Sequence, residues 1–332
     1  VIQSNGSAFE QVEYVQMDNA PGYELVVGRQ LSDQVLRSVS VYSFSSGSAE
    51  QLMMVGYSKF ITCDLNDDGC SELMVILPGE SETGTGSAVL YRMQDGNIER
   101  SVEVNVSEDA THIRRITEGR LLGGTPAVFV ASAVNESAIV TDVFAWRNDR
   151  FSNISYSRES DTSVQTLRNY YVYAEDIDGD GVMELPSLIT MKRVFPEQEG
   201  KQKFLIRWFA MDLEGREMDK FFTFHNYLGG WYMQLASSWA PRVSVEQEGG
   251  KYTFYVWDED YRQALDVFSI YALTGGSREE DATVDGRFAF YRAEGVVYAA
   301  KLEANAAEFG ITENQLINNF HLIQQDWKTG ET

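Results

Sequence analysis

Two ten-residue segments, 64–73 and 176–185, share one pattern of acidic residues and glycine, D-x-[DN]-x-D-G-x-x-E-L. Each segment follows a strand-like run and leads into an apolar one, so the acidic residues lie in a turn between two strands. Weaker copies of the same arrangement occur near residues 18–24 and 122–127. The chain must therefore fold into several copies of one strand–turn–strand unit.

The oxygen-bearing side chains of these turns predict a cation site. In the second turn, Asp176, Asp178, Asp180 and Glu184 occupy positions 1, 3, 5 and 9, with glycine at position 6. Calcium takes 6–8 oxygen ligands, and a loop of this spacing suits it. Carboxylates crowded into one turn repel each other, and a divalent cation offsets that repulsion. We therefore expect a structural calcium ion, with an acidic turn free of metal as the alternative.

The turns recur at a regular interval along the chain. If Glu24, Glu72, Ala127 and Glu184 are taken as equivalent, they are spaced by 48, 55 and 57 residues. Around each position the sequence indicates a strand, a turn, a second strand and a hairpin. In the fourth copy the strand before the turn is expected at residues 170–173. The first copy has a shortened turn and the third has no acidic ligand set, so we expect metal in neither.

A repeated four-strand unit at this interval predicts a mainly β fold with a propeller-like array of about four four-stranded repeats over residues 8–228. A single sheet cannot bury both of its faces, so neighbouring sheets must cover one another. Four units fit a small closed ring or part of a larger one. A mixed β-sandwich also fits short strands with regular turns and remains the alternative.

Residues 229–332 predict a smaller α+β domain. Six strand-like runs between 231 and 300 indicate an antiparallel meander without an acidic turn, and the boundary is expected near Gly229 and Gly230. Thr312 and Gln315 form a capping box at the start of a C-terminal helix, where Ile311 can contact Leu316. The mostly apolar face of this helix is expected to consist of Leu316, Ile317, Phe320, Ile323, Gln324 and Trp327.

Composition excludes several classes of partner. The 27 basic and 50 acidic residues give a net charge of −23, which argues against nucleic acid and anionic membranes as partners. No apolar run approaches the roughly 18 residues of a membrane-spanning helix. The three histidines and two cysteines give zinc sites and disulfide frameworks little support. Cys63 and Cys70 flank one acidic turn, and both a local bridge and two free thiols fit the sequence.

The two intact turns resemble the FG-GAP/VCBS repeats of integrin α-type β-propellers, over roughly residues 8–227. The resemblance implies that each turn holds a calcium ion between two strands of one repeat. It implies the side-chain ligands Asp64, Asn66, Asp68 and Glu72 with the carbonyl of Cys70 in one loop, and Asp176, Asp178, Asp180 and Glu184 with the carbonyl of Val182 in the other.

The C-terminal part is similar to the PsbP-like domains of Gram-positive surface lipoproteins. This resemblance rests on the strand order and on Leu235 and Trp239 ahead of the strand 243–245. Together the two resemblances imply an exported protein attached to the cell surface, with its export signal removed and a lipid tether upstream of Val1. Calcium use agrees with this location, because extracellular modules bind calcium at about 10⁻⁴–10⁻³ M.

The sequence favours a non-enzymatic, monomeric protein of binding or adhesion type, stabilised by calcium, whose ligand is a protein or a glycan. It contains no nucleophile elbow, no metalloprotease motif and no phosphate-binding loop. The alternative is a carbohydrate-active enzyme with a carboxylate pair in the central funnel of the propeller. A structural spacer is a third possibility.

Overall fold

The chain folds mainly into β-strands, as the sequence predicts. The computed structural model describes residues 8–32, 35–79, 85–197 and 202–323. Within these ranges the strands form five antiparallel sheets of four or five strands. The helical segments are short: the α-helices are Arg278–Asp281 (α1) and Glu313–Asn319 (α2), and the 3-10 helices are Val164–Thr166, Ala240–Arg242 and Ala306–Phe309.

The first three sheets follow one another along the chain, and each contains four strands in sequence order. The first sheet consists of Ala8–Val15, Glu24–Ser32, Val35–Ser43 and Glu50–Gly56 (β1–β4). The second consists of Lys59–Cys63, Glu72–Pro78, Thr85–Gln94 and Asn97–Asn105 (β5–β8). The third consists of His112–Arg120, Pro126–Ala133, Ile139–Arg147 and Arg150–Asn153 (β9–β12). The predicted repeat of four-stranded units is present in all three.

The central strands of these sheets are apolar on both faces, whereas an edge strand alternates. Seven of the eight residues of β10 are buried and the eighth is half-buried. In β8 only Ile98, Val102 and Val104 are half-buried, and the residues between them are exposed. A strand that reads as a continuous apolar run has packing partners on both sides, whereas an edge strand meets water.

Successive sheets bury apolar residues against each other. One core combines Val26, Val39 and Val41 of the first sheet with Leu73 and Val75 of the second. Another combines residues of the second and third sheets, among them Met74, Ile76, Leu90, Val128, Val130, Phe144 and Phe151. Each sheet is therefore stabilised by its neighbour in the series, as expected for stacked β repeats.

The fourth and fifth sheets have five strands each. The fourth contains Glu184–Thr190, Phe204–Met211, Glu217–Asn226 and Trp231–Leu235 (β13–β16), followed by the C-terminal strand Phe320–Leu322. The fifth contains Val243–Glu248, Lys251–Trp257, Ala264–Thr274, Phe288–Ala293 and Val296–Leu302 (β17–β21), in the order β17, β18, β19, β21 and β20. Because Phe320–Leu322 is the last strand, it is β22.

The predicted strand at residues 170–173 is wrong. Val172 and Tyr173 are buried, but this segment forms no strand. The buried Arg168 guanidinium donates to the carbonyls of Val172 and Thr166, so a side chain satisfies backbone groups that a strand neighbour would otherwise pair. Backbone pairing before the acidic turn is limited to an isolated bridge between Glu175 and Glu184.

The predicted meander also begins too early. Trp231–Leu235 was expected to start the second domain, yet it pairs with β15, with Phe222 opposite Leu235 and Asn226 opposite Trp231. Gly230, with φ of 68°, lies in the tight turn that joins the two strands. A turn this short between two apolar runs produces a hairpin, so the glycine pair marks a turn within one sheet.

The C-terminal helix is shorter than predicted. The capping box is confirmed: the Gln315 N–H donates to Thr312 Oγ1 at 3.3 Å, and the Thr312 N–H donates to Gln315 Oε1 at 2.9 Å. The helix ends at Asn319, and Phe320 instead begins β22 opposite Met233. There the Phe320 ring packs against Trp231, with centroids 5.4 Å apart, so ring packing replaces the last helical turns. Gln324 and Trp327 lie outside the described residues.

The chain divides into two compact units. The described residues up to Pro186, together with Ala210–Met218, form the first, and Ser187–Phe209 with the described chain from Asp219 onward form the second. This division does not coincide with the expected boundary at residues 228 and 229, which stays a prediction about independently folding domains. The second unit has its own core, which includes Trp231, Phe254 and Phe268.

Two further expectations concern the two cysteines and the presence of a membrane-spanning helix. Cys63 is buried, Cys70 is half-buried, and both are free thiols. Among the described helices none is long and apolar enough to cross a membrane.

Candidate metal centre

Three acidic side chains of the second loop come together. Carboxylate oxygens of Asp176, Asp178 and Glu184 all lie within 4.8 Å of one another. Two oxygens bound on opposite sides of a calcium ion, each at about 2.4 Å, are about 4.8 Å apart. The three oxygens can therefore reach one metal ion without rearrangement of the backbone. This acidic triad is the group that the structure supports as a metal site.

Backbone hydrogen bonds shape the second loop. The N–H of Gly181 donates to Asp176 Oδ2 at 2.9 Å, and the N–H of Val182 donates to Asp180 Oδ1 at 2.9 Å. Gly179 and Gly181 have φ of 75° and 86°, a region that side chains disfavour. Aspartate side chains and glycine backbones thus form the turn itself. Asp180 accepts a backbone hydrogen bond in this turn and is not a member of the acidic triad.

Glu184 is the buried member of the triad. It is the first residue of β13, its exposed fraction is 0%, and its Oε2 accepts the N–H of Ile177 at 3.2 Å. Its backbone also pairs with Glu175 in both directions, at 3.0 and 2.9 Å. Because backbone and side chain are both held, this carboxylate is positioned before any ion binds.

The first loop repeats these hydrogen bonds at equivalent positions. The N–H of Gly69 donates to Asp64 Oδ2 at 2.8 Å, and the N–H of Cys70 donates to Asp68 Oδ1 at 2.8 Å. The N–H of Leu65 donates to Glu72 Oε2 at 2.9 Å. Two segments more than 100 residues apart in sequence therefore form the same turn, as the shared pattern predicts.

In the first loop, an amide and an arginine side chain contact two of the carboxylates. The Asn66 amide donates to Asp68 Oδ2 at 2.9 Å and to Glu72 Oε1 at 3.0 Å. The Arg92 guanidinium lies 3.3 Å from the same Glu72 oxygen and 3.8 Å from the same Asp68 oxygen. The Asn66 amide and the Arg92 guanidinium thus both contact the same two carboxylates.

The predicted ligands of the first loop consequently do not form a group like the acidic triad. Asp64, Asp68 and Glu72 belong to one turn, but among the described residues the only such cluster of acidic oxygens is the one at Asp176. Metal binding at the first loop through Asp64, Asn66, Asp68 and Glu72 stays a prediction. The predicted backbone ligands Cys70 and Val182 occupy equivalent places, each donating its N–H within its own loop.

Burial affects the acidity of two carboxyl groups at these loops. Removal from water raises the pKa of Glu72, although the Leu65 N–H and Arg92 oppose the shift. Burial also raises the pKa of Glu175, with Arg115 opposing it and Asp176 adding to it. Both shifts in pKa favour the neutral carboxyl group, because burial disfavours its charged form, whereas a nearby divalent ion would favour the charged form.

The first repeat keeps the glutamate that closes the loop but not the full set of acidic residues before it. The Glu24 carboxylate is buried and accepts the N–H of Met17 at 3.2 Å, as Glu72 and Glu184 accept the N–H seven residues before them. In the third repeat backbone bonds close the turn, with the Leu121 N–H donating to the Thr125 carbonyl at 2.9 Å. Loop closure by glutamate is therefore separable from metal binding.

The sequence analysis missed the arginines that contact the loops. Arg92 lies 20 residues after Glu72 in the sequence, and Arg120 binds Asp67 with two hydrogen bonds of 3.1 and 2.8 Å. Asn66, Asp67 and Arg92 also line a cavity of about 680 Å³ with Gly123 and Trp146 of the third repeat. No sequence motif marks these pairs: Arg92 reaches the loop from β7 of the same sheet, and Arg120 reaches it from β9 of the third sheet.

Comparisons with known proteins identify no family. No protein-family model matches the chain, and a search of curated proteins finds no relative. Among solved structures, the exotype rhamnogalacturonan lyase YesX has 10% identity and a TM-score of 0.39 over 78% of this chain and 55% of its own. Rhamnogalacturonan lyase YesW has 10% identity and a TM-score of 0.38 over 77% of this chain and 70% of its own. The chain thus spans little more than half the length of YesX, and similarity this weak supports no functional assignment.

Proposed function

We propose that this chain is a calcium-stabilised binding protein of the extracellular, adhesion type, whose scaffold is made of FG-GAP/VCBS-like β repeats. The observation that carries the proposal is the acidic triad, whose three carboxylate oxygens lie within 4.8 Å of one another in a turn of the expected spacing. The ion stabilises the fold in this proposal and takes no part in chemistry.

Calcium is the metal that the ligand chemistry favours. The triad offers only carboxylate oxygens, and Asp176 and Asp178 are exposed, so water can complete the coordination shell. Calcium accepts 6–8 oxygens in flexible geometry, whereas magnesium demands a compact octahedron at about 2.0–2.1 Å. Zinc prefers nitrogen and sulfur ligands, which the triad does not supply.

An exported, surface-attached location fits this chemistry. Loops with few fixed ligands bind calcium weakly, at about 10⁻⁴–10⁻³ M in extracellular modules, and calcium reaches that level outside cells. The alternative function, a carbohydrate-active enzyme, stays a prediction that no geometry among the described residues specifically favours.

Calorimetric titration of chelator-stripped protein with calcium tests the proposal. We expect binding with a dissociation constant of about 10⁻⁴–10⁻³ M that Asp178→Ala abolishes. Asp64→Ala should leave this binding in place, because Asp64 does not belong to the acidic triad. Magnesium serves as the control ion. Equal calcium binding by wild-type and Asp178→Ala proteins would overturn the assignment.

A further inference from the structure

A cleft of about 950 Å³ lies between the second and third sheets, and no residue of the acidic triad lines it. Consecutive residues line it on both sides, 102–105 from β8 and 150–153 from β12. Both strands are edge strands of their sheets. The cleft is thus bordered by two sheet edges, and its volume is within the roughly 300–1,000 Å³ of ligand-binding pockets.

The two edges present backbone groups to the cleft. An edge strand has an outer row of N–H and C=O groups that no neighbouring strand pairs. Along these two segments, the described residues show one hydrogen bond to such a row, from Asn153 Nδ2 to the Asn105 carbonyl at 3.2 Å. Edge rows of this kind are where an extended peptide adds as a further strand.

Three arginines line the same cleft: Arg147, Arg150 and Arg158. Their side chains are exposed, and within the described part of the chain they form no ion pair and no hydrogen bond. Such isolation is unexpected in a protein with 50 acidic residues and only 27 basic ones. Most other arginines of the first unit contact carboxylates or aromatic rings.

Two of these arginines also repel each other. Arg147 and Arg150 are directly opposite on the β11–β12 hairpin. Like charges in directly opposite positions destabilise a sheet. An acidic ligand would convert this repulsion into charge-assisted hydrogen bonds, since arginine binds carboxylates with two parallel donors.

The carboxylates that line the cleft are already engaged. Glu103 forms an ion pair with Arg100 at 2.5 Å, and Asp161 accepts the Tyr156 hydroxyl at 3.1 Å. The three arginines therefore face two carboxylates that have other partners. The cleft is suited to a ligand that brings its own negative charge.

We infer that this cleft binds an acidic peptide segment in extended conformation. The peptide backbone pairs with the edge of β8 or β12, and glutamate or aspartate side chains bind Arg147, Arg150 and Arg158. A small anion would use the arginines but leave the backbone rows unpaired. This assignment deepens the proposed binding function and rests on it, but it does not depend on the calcium ion.

A fluorescent ten-residue peptide of alternating glutamate and valine is the probe, and the same peptide with glutamine for glutamate is its control. We expect the acidic peptide to bind, and the double variant Arg147→Gln/Arg150→Gln to weaken binding by about tenfold or more. The matched control is Arg262→Gln, which removes an exposed arginine elsewhere. Hydrogen exchange should show new protection of backbone amides in 102–105 or 150–153.

Three results would overturn the inference: equal binding of both peptides, unchanged affinity of the double variant, or peptide binding without amide protection. Binding of an oligogalacturonate in place of the peptide would also contradict it, because it would assign the cleft to acidic glycans. Melting curves confirm that the variants fold. Each titration is run with calcium and with chelator, so peptide binding without any effect of calcium on stability would contradict only the calcium proposal.

Discussion

At the scale of single residues, the glutamate at the end of a loop can close the turn, and it can also belong to a metal site. Glu24, Glu72 and Glu184 each begin a strand and accept a backbone N–H seven residues earlier. Only Glu184 also belongs to the acidic triad. A pattern that looks like a ligand set in the sequence is therefore partly a loop-closing device, because buried N–H groups need acceptors whether or not an ion is bound.

Glu24→Ala tests the loop-closing task where no metal is expected. The change leaves the buried Met17 N–H without its acceptor, which costs about 1–3 kcal/mol of unfolding free energy. Urea unfolding should show this loss equally in calcium and in chelator. Glu50→Ala, at an exposed position in the same sheet, is the control, and an equal effect of both substitutions would contradict the assignment.

His225 predicts a specific pH dependence of stability. Burial lowers its pKa from 6.5 to about 3, and its ring stacks on Tyr232 with centroids 4.9 Å apart. Neutral His225 stabilises the fold fully above pH 6.5, and this contribution is lost as the pH falls from 6.5 toward 3, by about 1.4 kcal/mol per unit.

His225→Phe keeps a ring at this position and removes the titrating group. The variant should lose less stability than the wild type between pH 6.5 and 4, as measured by urea unfolding. His112→Phe, at an exposed site, should follow the wild-type profile. Identical profiles for all three proteins would contradict the account.

At the scale of elements, contacts between successive sheets decide which strand residues are tolerated. Gly28 in β2 faces the second sheet, and a Cβ there would lie 2.7 Å from the Phe60 ring. Phe60 is 1% exposed and therefore has little room to move. The glycine permits close approach of two sheets, which strand propensity alone does not show.

Gly28→Ala should destabilise the protein by about 1–3 kcal/mol through overpacking. Gly56→Ala is the matched control in β4 of the same sheet, since its nearest neighbour would be 3.8 Å from the new methyl group. Chemical denaturation measures both variants, and equal stability would show that the two sheets do not pack as described.

At this scale the sequence predicted strands and turns well where local chemistry determines them. Alternation and turn residues located the hairpins of the first three sheets, and the capping box located the start of α2. Prediction failed where tertiary contacts override local pattern. Arg168 satisfies backbone groups near residue 172, and the ring cluster around Phe320 ends the helix early. Neither contact is visible from sequence spacing.

At the scale of the whole molecule, the repeat interval predicted a mainly β fold of stacked four-stranded units, and the loop pattern located the residues of the acidic triad. The arginines that contact the first loop could not be predicted, because Arg92 and Arg120 lie 20 or more residues away from their partners in the sequence and only the fold brings them together. We propose on this basis that the second loop is preformed for a calcium ion, whereas in the first loop Arg92 pairs with two of the carboxylates.

Thermal unfolding in calcium and in chelator tests this account most directly. At calcium concentrations of about 100 times the dissociation constant, binding stabilises the protein by about 2.7 kcal/mol, equivalent to a rise of about 5 °C in melting temperature. We predict this rise for the wild type and for Asp64→Ala, and its loss in Asp176→Ala. Superimposed melting curves of the wild type in calcium and in chelator would contradict the central claim.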